Sequence, residues 1–124
     1  MKSDQYIELD WLQKWNLYCP TKIAIKDGDT GREFSYSQFF DHAARGARFL
    51  KDKYNINPGD RVAVLSTNEL EYVFLFFALQ RLGAVLVPIN FRLTQREVEH
   101  IVSDCEPKLV VHQPDYQEIV RHLK

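Results

Sequence analysis

No run of apolar residues in this sequence exceeds the eight of "YVFLFFAL", Tyr72 to Leu79. A helix that crosses a membrane needs roughly 20. Charge of neither sign prevails. The net charge is −1, which withholds the electrostatic footprint of a nucleic-acid partner or an anionic membrane surface. Cysteine is scarce: Cys19 and Cys105 are the only two, far apart and in no CxxC pattern. Unpaired thiols in a reducing cytosol are the simplest account. The opening "MKSDQYIELDW" is too polar for a signal peptide, so the expected location is cytoplasmic.

Glycine is equally sparse where chemistry would need it. There is no GxxxxGK[ST] and no GxGxxG, so neither common phosphate loop is present. No GxSxG elbow occurs, and His42, His100, His112 and His122 fall into no HExxH or comparable metal spacing. Cys105 closes a helical apolar stripe and reads as a core thiol rather than a nucleophile. Asp27, Asp29 and Glu33 sit in a turn, where solvated charge is the default. Asp60 follows Gly59 in another turn and reads as structural. No residue in this chain is expected to be catalytic, to ligate a metal or to hold a cofactor unaided.

What is present describes a folded α/β domain. At 124 residues, 45% hydrophobic and 27% charged, the chain buries a core and is not disordered. Leu9, Leu12 and Trp15 have helical spacing. The segment from Ile23 to Ser35 reads as a hairpin: Ile23 and Ile25 alternate with polar neighbours, and an Asp/Gly-rich centre turns the chain. Ser35-x-x-Gln38 is a capping box, and Phe39, Phe40, Ala43, Ala47 and Leu50 then make one apolar stripe. "NPGD" stops that helix.

Three short apolar runs follow, near Arg61–Ser66, Ala84–Pro88 and Lys108–His112. Such runs are expected as parallel strands buried on both faces. Between the first two, Asn68-x-x-Glu71 supplies a cap, Glu69 to Leu82 a helix apolar on nearly every side, and Gly83 its stop. Thr94-x-x-Glu97 caps a helix whose Val98, Ile101, Val102 and Cys105 share a face. Tyr116, Ile119, Val120 and Leu123 repeat that spacing. The β-α-β-α-β-α alternation predicts a layered parallel sheet with helices on both faces, with the hairpin set apart.

The ordered set "FSYSQF", "ARFL" and "GDRVAVLSTNELEYVFLFFALQRLGAVLVPINFRLTQREVEHIVSDCEPKLVV" resembles the opening of the acyl-adenylate-forming enzymes. These include acyl-CoA synthetases, luciferases and peptide-synthetase adenylation domains. "VPINFRLT" and "LFFALQRLGAV" lean towards acyl-CoA synthetases, and within them fatty-acid or aromatic-acid ligases. The resemblance implies that residues 1–124 are an N-terminal subdomain of a larger adenylate-forming domain, ending before its Ser/Thr/Gly-rich phosphate loop. It implies a parent that uses ATP and Mg²⁺ to turn a carboxylate, expected to be a fatty acid, into an acyl-AMP captured by CoA. The residues that bind ATP and Mg²⁺ would lie outside this chain, and the partner of this piece would be the rest of that enzyme. In related ligases the arginine of N-x-R-L reaches the CoA phosphates, and Arg92 is the matching residue. The isolated chain is expected to be inactive and to self-associate through uncovered apolar surface. The reading of a different class is a free-standing α/β binding or regulatory module. Fragments of an adenylation domain or of an aromatic acid–CoA ligase stay open within the family.

Overall fold

The structure is a computed structural model and describes residues 10–123. A first helix, α1 (Trp11–Tyr18), leads into a two-stranded antiparallel hairpin, β1 (Ile23–Lys26) and β2 (Glu33–Ser35). Helix α2 (Tyr36–Tyr54) follows, then β3 (Arg61–Leu65), α3 (Leu70–Leu82), β4 (Val85–Ile89), α4 (Gln95–Cys105) and β5 (Leu109–His112). A 3₁₀ turn, Pro114–Tyr116, opens the short α5 (Gln117–Arg121).

The strands β3, β4 and β5 form one parallel sheet in the order β4-β3-β5, and the hairpin is a separate sheet. Side chains alternate across a strand. Val62 therefore faces α2 and α3, in a cluster with Ala47, Leu50, Ile56, Ala78 and Leu79. Ala63 and Leu65 face the other way, against Val98 and Val102 of α4 and Ile119 and Val120 of α5. Helices thus cover both faces. A third cluster, around Leu12, Phe39 and Ala43, joins α1 and the hairpin to the α2–α3 pair.

Local chemistry accounts for the element ends. Ser35 and Gln38 form the reciprocal capping box of α2, and Thr94 and Glu97 that of α4. Gly83 ends α3 at φ +73°, the left-handed region that glycine enters without cost. Gly46 lies where α2 meets α3, and a Cβ added there would stand 3.4 Å from the Ala78 Cβ.

Several expectations need correction. The cap of α3 is Glu69, not Asn68, and its side chain makes no capping hydrogen bond. Only the middle strand is buried on both faces: β3 is buried from Val62 to Leu65, whereas every residue of β5 is half-exposed and Val85 of β4 is exposed. A three-stranded sheet has two edges, and apolar composition alone does not say which strand lies between the others. Helix α3 is likewise not enclosed all round, since Phe76 is 47% exposed. A bulge between Ile23 and Ile25 breaks the expected alternation in β1 and leaves Ile23 exposed. In α1 Leu12 is buried but Trp15 is exposed, and Leu9 lies outside the described residues. Phe40 is half-buried beneath the Arg81 guanidinium, 5.0 Å from the ring centre.

Candidate functional site

Parallel α/β sheets gather ligands outside the carboxyl ends of their strands. Three loops meet that description here: residues 66–69 after β3, 90–94 after β4, and Gln113 after β5. They differ in what they offer.

The loop after β3 is tied to the loop after β5. Gln113 Oε1 accepts from the Thr67 backbone N–H at 2.7 Å and from its hydroxyl at 3.1 Å. Gln113 Nε2 donates to Glu69 Oε1, and the Ser66 hydroxyl donates to the Thr67 carbonyl at 2.8 Å. Glu69 and Glu71 place two carboxylates at the start of α3. An isolated helix start favours an anion; here Glu69 is held by Gln113 and Glu71 pairs with Arg32 at 3.4 Å. Among the described residues no group of three His, Cys, Asp or Glu side chains converges as a metal site would need.

The loop after β4 is different. Asn90 Oδ1 accepts the Arg92 backbone N–H at 2.9 Å, and the Leu93 N–H donates to the Asn90 carbonyl at 3.2 Å. This Asx turn swings the chain from strand to helix. Phe91 tucks into the α4–α5 cluster with Tyr116, ring centres 6.3 Å apart. The Arg92 side chain stays exposed, its guanidinium 5.1 Å from the Phe91 ring centre. Among the described residues it forms no salt bridge, although six other cations pair with acids. Glu97 is turned back onto the Thr94 N–H and hydroxyl, at 2.9 and 3.0 Å, and those bonds hold its carboxyl below the ordinary glutamate range. The nearest acid in sequence is therefore committed to the cap. Arg92 is an available cation at the end of a parallel strand where a helix begins.

The other candidates resolve into structure. His42 and His100 are exposed on helices, and His42 stacks on Phe74 with ring centres 4.7 Å apart. Cys19 and Cys105 are free thiols, and Cys105 is half-buried at the end of α4. Asp27 holds its turn by accepting from the Asp29 N–H and the Thr30 hydroxyl, both at 2.9 Å, and its carboxyl is pulled below the usual range. Asp60 does the same for the turn before β3. It accepts from the Asn57 N–H at 2.6 Å and pairs with Lys108 at 3.2 Å, which lowers its pKa in that order of importance. Reading the sequence alone missed Gln113. Only the fold brings it to Thr67 and Glu69, 46 and 44 residues away.

The model of the family described as AMP-binding enzyme matches residues 12–124. The chain belongs to that family. Among curated relatives, the feruloyl-CoA synthase of an Amycolatopsis species is 36% identical over 104 residues, covering 84% of this chain and 21% of that protein. The long-chain-fatty-acid–CoA ligase FadD13 of Mycobacterium tuberculosis is 40% identical over 93 residues, covering 75% of this chain and 18% of that protein. Among solved structures, the N-terminal domain of FACL13 from M. tuberculosis superposes with a TM-score of 0.85 at 34% identity, covering 91% of this chain and 29% of that one. ATP-bound MatB from Rhodopseudomonas palustris gives a TM-score of 0.82 at 31% identity, covering 91% and 22%. The chain spans about a fifth of the length of the curated relatives it matches.

Proposed function

We propose that this chain is the scaffold portion of a carboxylic acid–CoA ligase, and that in the longer protein Arg92 contacts the phosphates of CoA. One observation carries the first part: the family match runs over residues 12–124, while the matched relatives, several of them CoA ligases, are about five times as long. The parent enzyme would be cytoplasmic, would use ATP and Mg²⁺ bound by residues outside this chain, and would act on a fatty acid. The identity to FadD13 supports that substrate. An aromatic acid is the second reading, favoured by the feruloyl-CoA synthase relative. The 124 residues alone would be inactive.

Two half-reactions separate the parts of this reading. The gene is read beyond Lys124, and the longer protein is assayed for pyrophosphate–ATP exchange driven by a long-chain fatty acid or by ferulate. Exchange with the fatty acid and not ferulate supports the first reading, and the reverse supports the second. Arg92→Ala in that protein should raise the KM for CoA and leave the exchange reaction nearly unchanged, because the exchange does not involve CoA. A fork that grips phosphate with two N–H groups is not replaced by lysine, so Arg92→Lys should recover little. Equal loss in both assays would make Arg92 structural, and no change in either would return it to the solvated surface.

A further inference from the structure

Arg92 is exposed, yet the loop that carries it is closely held. Residues 90–94 run between two fixed points. Ile89 is 4% exposed and stands opposite Leu65 in the sheet register, and Thr94 is locked into the capping box of α4. Between them, Phe91 and Leu93 both pack into the cluster that α4 and α5 form with the sheet. Arg92 lies between these two inward side chains, and its outward direction follows from theirs.

Asn90 fixes the backbone at that point. Its Oδ1 accepts the Arg92 N–H at 2.9 Å, and its carbonyl accepts the Leu93 N–H at 3.2 Å. The first bond depends on the side chain. Asn and Asp place an acceptor there readily, and the Ser hydroxyl does so more weakly. Asn90 is itself exposed, and among the described residues its side chain makes no other hydrogen bond. Its side chain is therefore not there to fill the core; what it holds is the turn into Arg92.

Phe91 adds a platform. Its ring packs with Tyr116, ring centres 6.3 Å apart, and the Arg92 guanidinium lies over it at 5.1 Å. A cation over an aromatic face is attracted to it, so the Arg92 side chain has a set place as well as its backbone. A cation held in place before a ligand arrives spares the ordering cost that binding otherwise carries.

We propose that Asn90 is a positioning residue for Arg92: the bond from the Arg92 N–H to Asn90 Oδ1 presets the loop, and Asn90 acts on the phosphate contact only through Arg92. This rests on the reading that Arg92 meets the phosphates of CoA.

Two measurements on Asn90→Ala and Asn90→Ser test it, since serine keeps an acceptor for the turn and alanine does not. In the 124-residue chain, the Arg92 amide should exchange its hydrogen about 3- to 10-fold faster in the alanine variant, the scale of one net hydrogen bond, and near the parent rate in the serine variant. An unchanged Arg92 amide in Asn90→Ala overturns the preset turn, whatever the longer protein does. In the longer protein, Asn90→Ala should raise the KM for CoA by about 3- to 10-fold. Serine should restore most of that loss, and pyrophosphate–ATP exchange should change little in either variant. Combined with Arg92→Ala, the alanine substitution should raise the KM no further. A KM raised by Arg92→Ala but not by Asn90→Ala overturns the positioning role and leaves the CoA reading standing. A further rise in the double variant means that Asn90 acts on its own account, and also overturns it. A KM unchanged in both single variants sinks the CoA reading and this role with it, even where the Arg92 amide has quickened.

Discussion

The two ends of the parallel sheet are built from similar loops but treated differently. At the amino end the strands are tied down. Asp60 grips the Asn57 N–H and Lys108, its carbonyl accepts from Val85, Arg61 reaches the Cys105 carbonyl at 2.8 Å, and the Gly59 N–H donates to the Gly83 carbonyl. Every strand of the sheet is linked there by polar contacts, and Ile56 seals the layer beneath at 0% exposure. At the carboxyl end, among the described residues, only the loops after β3 and β5 are joined, through Gln113, and the loop after β4 presents an exposed arginine. The contrast separates an end tied by many polar contacts from an end with fewer of them. It also explains why charged residues in this chain are poor guides to function when read singly. Asp60 and Arg92 both stand in turns beside strands, yet one is spent on the fold and the other is not.

Substitutions at the two ends should therefore separate, and their order can break the comparison. Ile56→Ala should cost the most, about 2–5 kcal/mol, since it removes a fully buried side chain from the amino-end layer. Urea unfolding would show it as a lower midpoint with an unchanged slope. Gly83→Ala should cost about 1–2 kcal/mol, because an L side chain is strained at φ +73° and the Cβ would also stand 3.4 Å from Pro58. Asp60→Asn should lower Tm more modestly and with a pH signature. The Asp60 carboxyl is held below its ordinary value in the fold. Its contribution is present above the unfolded carboxylate pKa of about 3.9 and fades as pH falls through the lower folded value. Melting curves of the variant and the parent should thus differ at pH 7 and converge in acid. A gap that widens in acid would mean that Asp60 is misread. Arg92→Ala should change stability least, within about 0.5 kcal/mol, as expected for a surface residue that forms no salt bridge among the described residues. A loss as large as that of Gly83→Ala would remove the distinction between the two ends.

Much of this fold was legible in the sequence because its signals are local. The capping boxes at Ser35 and Thr94, the stop at Gly83 and the three apolar strand runs each act within a few residues, and each appears where expected. What was not legible depends on neighbours. The half-exposure of β5 follows from strand order, which no property of "LVVH" encodes. The α3 cap falls on Glu69 rather than Asn68, and Glu69 is also the residue that Gln113 reaches from the loop after β5. The exposed Trp15 reflects a helix that buries Leu12 alone against α2. Arg92 was found through the family motif. Its exposure, and the commitment of Glu97 to the cap, became visible only in the fold.

The central claim is that this chain supplies scaffold and leaves the nucleotide site to residues beyond it. Calorimetric titration of the 124-residue chain with ATP and Mg²⁺ tests that most directly. The account expects no saturable heat, because a phosphate site requires several converging N–H groups or cations and the strand ends carry Glu69 and Glu71 instead. Saturable binding in the micromolar range would contradict it.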